Sequence, residues 1–371
     1  MATATANSNQ RLYSLDALRG FDMFWIMGAE EIFHTLYKAT GNSFLGTIAE
    51  ELTHPAWNGF HFYDLIFPLF LFMAGVATPF SVGRDIEKGK SKQQLLWRVI
   101  KRGLILVLLG IIANNGLEIK PIAEIRFGSV LGRIGLAYMF ANIIYIYTKE
   151  LGQLIWFGAI LIGYWLLMKF TSAPGFPAGD LTMEGNIVSY FDRLFLPGKL
   201  YLDIHDPEGL LSTVPAISTG LLGILTGNFL KREGIAPAKK ALRMGIIGIA
   251  FVAFAHLWDL DFPINKNLWT SSFVLNAGGY SLILLSIFYY IIDVLGYQKW
   301  AFFFKVIGMN SILIYMSGHF IDWGYTTNAF FKWLGQLAGD PFNAVIMAVC
   351  YVLVKWVFLY FMYKKKVFLR V

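Results

Sequence analysis

Phe62-Tyr63-Asp64-Leu65-Ile66-Phe67-Pro68-Leu69-Phe70-Leu71-Phe72-Met73-Ala74-Gly75-Val76-Ala77-Thr78-Pro79-Phe80-Ser81-Val82 carries one charged side chain, Asp64, near one end. A helix needs about 20 apolar residues to cross the hydrocarbon core of a bilayer, and this stretch supplies them. Nine other stretches read the same way: Leu15 to Tyr37, Leu95 to Asn114, Val130 to Tyr147, Leu154 to Lys169, Val214 to Phe229, Met244 to Trp258, Ser271 to Val294, Phe302 to Ile321 and Phe342 to Tyr363. The expectation is an all-α, polytopic membrane protein of ten spans, with an eleventh, re-entrant segment between Asp322 and Asp340 left open. Composition agrees: 371 residues are 56% hydrophobic and 15% charged, with mean hydropathy +0.55, which excludes a soluble globule and a disordered chain. The 33 Phe, 18 Tyr and 11 Trp suit a bilayer interior and its headgroup belts. A single cysteine, Cys350, rules out an intramolecular disulfide and reads as a small buried hydrophobe.

The loops set the orientation. With the N-terminus inside, Arg84, Lys88, Lys90, Lys92, Lys149, Lys231, Arg232, Lys239, Lys240, Arg243, Lys299, Lys364, Lys365, Lys366 and Arg370 all fall in the cytoplasm. The opposite loops hold Glu50, Glu51, Glu118, Glu124, Asp180, Glu184, Asp203, Asp206, Glu208, Asp259 and Asp261, with few cations. Positive charge inside therefore places both termini in the cytoplasm, and the net charge of +7 marks a membrane face rather than a nucleic-acid partner. The polar segment 1–10 does not resemble a cleaved signal peptide. Two outer loops, 38–61 and 170–213, are long enough to carry a binding site. No internal repeat supports a transporter of inverted halves.

Ionisable residues inside spans are costly in hydrocarbon and mark sites by default. In span one, Asp16, Arg19 and Asp22 recur at i, i+3 and i+6, a spacing that lets them neutralise one another, and Asp16 with Arg19 reads best as a structural pair. Glu30 lies about four helical turns beyond Asp16, which on an unbroken helix puts it on the same polar face. His54 stands at the outer mouth of span two, where an imidazole can serve as a general base. Asp64, a turn inside, needs a donor such as Trp57, an Arg or His54. A lone interfacial His is more often bonded to a loop carbonyl. No metal-ligand spacing links it to His34, His61, His205, His256 or His319, so no metal is expected. At the inner side, Arg98, Lys101 and Arg102 recur at i, i+3 and i+4 and suit a polyanion or anionic lipid; Lys305 adds a cation there. Arg133, flanked by Gly132 and Gly135, lies nearer the outer end and needs a partner in the bundle. Gly220, Gly223 and Gly227 read as close helix packing. Phe302, Phe303 and Phe304 read as ordinary bundle or lipid-facing residues. These features alone fit either a transporter or an enzyme.

Several motifs in order resemble the heparan-α-glucosaminide N-acetyltransferase family of transmembrane acyltransferases: 14–20 (Ser-Leu-Asp-Ala-Leu-Arg-Gly), 54–75 with its His, 130–135, 206–213, 265–270 and 308–315, together spanning 11 to 321. The resemblance implies one acyltransferase domain over 1–371 that moves an acetyl group from cytosolic acetyl-CoA, its donor substrate, to the amine of a terminal glucosamine-type sugar on the far side. It implies catalysis by His54, oriented by Asp64, with Glu30 contacting the acceptor. The coenzyme falls to Arg98, Lys101, Arg102, Arg133, Lys305, Asn310 and Ser311. The sugar falls to Trp57, Asn58, Asp206, Glu208, Asn265, Lys266, Asn267 and Trp269. Glu30 stands where heparan-acting members carry Asn, and Gly132 where they carry Gln. The long lumenal extension of animal members is absent, so the chain looks like a compact prokaryotic relative in the cytoplasmic membrane, its mouth facing the periplasm. Membrane lipid and an amino sugar or glycan are the expected partners, with homo-oligomerisation left open. The rivals are O-acetylation of a cell-envelope glycan and transport of an anionic or sugar solute.

Overall fold

The computed structural model describes residues 12–369, so segment 1–10 and Arg370 lie outside the described residues. The described chain is helical: α1 (Tyr13–Phe24), α2 (Glu30–Thr40), α3 (Ser43–Glu51), α4 (Ile66–Glu87), α5 (Lys92–Asn115), α6 (Val130–Tyr147), α7 (Glu150–Phe170), α8 (Ile187–Phe195), α9 (Thr213–Lys231), α10 (Pro237–Asp259), α11 (Ser271–Phe288), α12 (Phe302–Gly308), α13 (Ser311–Ser317), α14 (Trp323–Ala338) and α15 (Asn343–Lys364). Local chemistry sets several ends. Ser91 and Gln94 form a reciprocal cap at the start of α5, Gly41 closes α2 in the left-handed region, and Pro237 opens α10.

Seven helical segments among the described residues are long and apolar enough to cross a bilayer: Phe62–Glu87, Val130–Tyr147, Glu150–Phe170, Thr213–Lys231, Pro237–Asp259, Ser271–Val294 and Asn343–Lys364. Three expected spans differ, each for a physical reason. The first is broken by a π-turn, Trp25–Ala29, with Gly28 at φ +119° between α1 and α2. The third, α5, is long, but Arg98, Lys101 and Arg102 confine its uncharged apolar part to 103–113. The ninth is two seven-residue helices, α12 and α13, separated at Met309 and Asn310. The segment between Asp322 and Asp340 holds α14, capped by Asp322 and packed on α15.

The bundle centres on α4, which packs closely against α9. A Cβ at Gly75 would come within 2.2 Å of the Gly220 carbonyl oxygen, and one at Gly223 within 2.1 Å of that of Phe72. Those glycines act as contact surface, as their spacing suggests. Cys350 is buried, as expected. The cationic loops gather at one end: Lys231 bonds Glu87 at 2.7 Å, Arg232 pairs with Glu150, and Arg98 and Lys90 both pair with Asp85. At the opposite end, the two long loops fold over the bundle, carrying α3 and α8. Asn42 caps α3 and Asn186 caps α8, each through its side-chain oxygen.

Candidate active site

His54 sits on the loop that leaves α3, ahead of the 3-10 turn Phe62–Leu65 that opens α4. That turn is the reason a carboxylate faces it. Asp64 occupies the third position of the turn and accepts the His61 backbone N–H with Oδ2 at 3.1 Å, which leaves Oδ1 for His54. The Nδ1–Oδ1 distance is 2.7 Å; Asp64 is fully buried while His54 is half exposed. A carboxylate on Nδ1 fixes the tautomer with the lone pair on Nε2, the arrangement of an oriented general base. Lys266, from the loop between α10 and α11, places Nζ 3.0 Å from Nε2, 3.2 Å from Nδ1 and 3.4 Å from Asp64 Oδ1. Burial pulls the Lys266 pKa below the ordinary lysine value, against the opposing pull of Asp64. Tyr63 packs on the imidazole with ring centroids 5.1 Å apart.

These groups open into a cavity of about 500 Å³, lined also by Trp57, Asn114, Arg126, Tyr201, Glu208, Asn267, Ser311 and Tyr315. Both long loops thus contribute to its wall. A second cavity, of about 380 Å³, lies on the cationic side and is lined by Arg19, Arg102, Tyr138, Ser311, Phe368 and Leu369 among others. The two share Phe70, Ile134, Ser311 and Ile312 as lining, so they abut inside the bundle. Arg102 stacks over Tyr138 at 4.6 Å, and its Nε is buried with no hydrogen-bond partner among the described residues. An orphaned guanidinium N–H on a cavity wall is what a bound anion would satisfy.

Arg126 was not legible as a site residue, although a lone Arg in an acidic outer loop was a usable signal. Its guanidinium binds Asp206 bidentately at 2.8 and 2.9 Å, reaches Glu208 at 2.5 Å, and lies over Tyr201 at 4.4 Å. Burial works against both charges, but each holds the other ionised: the Arg126 pKa is raised and that of Asp206 lowered. Asp206 therefore fixes Arg126 and is itself buried, whereas Glu208 reaches the cavity.

The sequence-derived residues divide accordingly. His54, Asp64, Trp57, Glu208, Lys266, Asn267 and Ser311 share the outer cavity. Trp57 donates to the Leu181 carbonyl at 2.9 Å rather than to Asp64, and Asn58 and Asn265 bond each other at 3.0 Å beside it. Trp269 is buried between Phe67 and Arg133 and lines neither cavity. Arg133 is also buried, bonded to Ser212 and to the Gly209 carbonyl at 3.5 Å, and lines neither cavity. Of the inner cations, Arg102 alone of the α5 trio lines the inner cavity; Arg98 pairs with Asp85, Lys101 points outward, and Lys305 lies over the Tyr13 ring at 4.1 Å. Asn310 holds the segment after α15, donating to the Val367 carbonyl at 2.9 Å and accepting the Leu369 N–H at 3.1 Å. Arg19 stands 3.8 Å from Asp16, the pair the spacing suggests, and donates to the Met73 carbonyl at 3.3 Å, while both Asp22 oxygens lack a hydrogen-bond partner among the described residues. Glu30 lines a different cavity, of about 480 Å³, together with Lys355, whose Nζ donates to the Met27 carbonyl at 2.8 Å. It does not line the wall around His54. No cluster of three or more His, Cys, Asp or Glu side chains among the described residues could hold a metal.

The chain matches relatives along most of its length. It is 28% identical to human heparan-alpha-glucosaminide N-acetyltransferase over 86% of this chain and 55% of that protein. The figures for the mouse protein of the same name are 28%, 86% and 56%, so the chain spans little more than half the length of these curated relatives. Residues 11–254, which include His54, Asp64, Arg102 and Arg126, match the family model for the catalytic part of heparan-alpha-glucosaminide N-acetyltransferase, and the chain belongs to that family.

Proposed function

We propose that this protein is a membrane acetyltransferase that moves an acetyl group from cytosolic acetyl-CoA to the amine of a terminal glucosamine-type sugar on the opposite side. One observation carries the reading: a cavity containing an Asp-oriented His abuts, through Ser311 and its neighbours, a cavity with Arg102 and Arg19 on its wall. Donor and acceptor can then meet without either crossing. In this reading the whole chain is one acyltransferase domain of about ten spans, with both termini in the cytoplasm, set in the inner membrane.

Arg102 and Arg19 hold the donor's phosphates at the inner end, and Ser311 lies where the acetyl end must pass. When bound, acetyl-CoA supplies an activated thioester carbonyl. His54 Nε2 takes the proton that the acceptor amine must lose as it attacks, and Asp64 stabilises the imidazolium that results. Glu208, held by Arg126, and Asn267 face the sugar from the outer wall. Trp57 offers an apolar face for a sugar ring.

The test uses purified protein. CoA at about 100 times its Kd should stabilise the fold by about 2.7 kcal/mol, read as a rise in melting temperature. Labelled acetyl-CoA should label glucosamine and leave its N-blocked analogue unlabelled. Labelling of the blocked sugar through oxygen, or solute counterflow without CoA binding, overturns the proposal.

A further inference from the structure

The amine of Lys266 lies against the imidazole of His54 inside the outer cavity. Its Nζ is 3.0 Å from Nε2 and 3.2 Å from Nδ1, so it lies over the ring face. A rotation of its flexible stem brings it into line with Nε2, the nitrogen left free to accept a proton once Asp64 has engaged Nδ1. Its side chain is 18% exposed, and it shares the cavity with His54 and Ser311, so an acetyl group delivered to the base is delivered to this lysine too. Asp64 lies 3.4 Å away, close enough to balance one positive charge whether the proton sits on the lysine or on the imidazole.

We infer that Lys266 is a self-acetylation site, modified by the enzyme's own donor when no sugar occupies the outer cavity. The inference rests on the proposed donor. The balance is closed: the neutral Lys266 amine forms an N–C bond to the acetyl carbonyl while the thioester C–S bond breaks. His54 takes the proton released by the amine and passes it to the departing thiolate. The products are Nζ-acetyl-Lys266 and free CoA, with no oxidant or further reactant. Burial favours the neutral amine this requires. A bound sugar amine and Lys266 compete for the one Nε2 lone pair and for the same acetyl group, so an acceptor in the cavity suppresses self-acetylation. Once acetylated, the side chain is neutral and longer, and it crowds the cavity beside His54.

The experiment incubates the full chain with trideuteroacetyl-CoA, without sugar, and maps labelled lysines by peptide mass spectrometry over time. Lys266 should label about 10²-fold or more faster than the exposed Lys101 and Lys332, which report uncatalysed acetylation. Saturating glucosamine should suppress the Lys266 label alone. His54→Gln should remove it, with Lys101 labelling unchanged and the CoA-induced melting shift confirming a folded protein. Labelling of Lys266 no faster than Lys101 refutes the inference. If glucosamine is acetylated normally in that same preparation, only self-acetylation fails; if neither Lys266 nor glucosamine is labelled and CoA gives no melting shift, the proposed function fails with it.

Discussion

Replacing Asp64 by Asn tests the base at its weakest support. The substitution preserves size, and an amide oxygen can still face His54 Nδ1 at 2.7 Å and Lys266 at 3.4 Å. What it removes is a fully buried negative charge beside a ring that must become positive as it takes a proton, together with the Oδ2 acceptor of the His61 N–H, a loss that falls on the fold and is read by the melting check. Unit charges about 4 Å apart attract by about 4 kcal/mol at an effective dielectric of 20. That stabilisation exists only once the imidazolium has formed, so its loss falls on the transition state and leaves substrate binding largely intact. At about 1.4 kcal/mol per factor of ten, the transfer rate should fall by roughly 10³-fold. Lys266 does not restore the balance. Without the carboxylate, a buried ammonium loses its counter-charge and gives up its proton instead, leaving a neutral amine beside the ring. The assay is the initial rate of labelled acetyl transfer to glucosamine, with the CoA-induced melting shift as the check on folding and donor binding. A variant that keeps its melting shift and transfers within tenfold of the parent rate refutes the claim that Asp64 acts through the charge on His54.

Arg102→Ala should weaken CoA binding by about tenfold or more, the worth of one charge-assisted contact, whereas Lys101→Ala one residue earlier should not; titration calorimetry with CoA separates them, and equal effects would refute the inner cavity as the donor site. Gly223→Ala should destabilise the detergent-solubilised protein by about 1–3 kcal/mol or more, because its methyl would stand 2.1 Å from the Phe72 carbonyl oxygen; an unchanged melting temperature would refute the close α4 and α9 contact. Buried Asp192 has its pKa raised from 3.8 to about 6, chiefly by burial, so the stability it contributes is complete below about pH 4 and is lost as pH rises through about 6. Asp192→Asn keeps an acceptor for the Leu210 N–H, 2.9 Å away, but cannot ionise. It should match the parent near pH 4 and exceed it by up to about 3 kcal/mol above pH 6, and a gap independent of pH would refute this.

How much was legible depended on whether one helix carried the information. His54 and Asp64 are ten residues apart at a single helix start, and their pairing follows from the turn that begins there. Glu30 lines a different cavity from His54 for an equally local reason. Counting four turns from Asp16 assumes an unbroken helix, but the chain leaves helical geometry at Gly28, φ +119°, within the turn Trp25–Ala29, so the count no longer sets the face, and Glu30 lines a cavity with Lys355 of α15. The α5 cations show the limit of face arguments: Arg98, Lys101 and Arg102 share a stripe, yet only the residue nearest the bundle turns inward. Lys266 meets His54 across 212 residues of chain, a separation no periodicity encodes.

The break between α12 and α13 ties these observations together. Backbone freed from helical hydrogen bonding is tolerated at membrane depth only where it is buried in protein or faces a cavity. Here the break is buried at Asn310, its Met309 and Asn310 N–H groups bond the Lys305 and Ile307 carbonyls, and Ser311 and Ile312, just beyond it, lie on the wall common to both cavities. The irregularity that removed a span from the apolar count thus lies at the wall the two cavities share, where the proposed transfer requires them to meet.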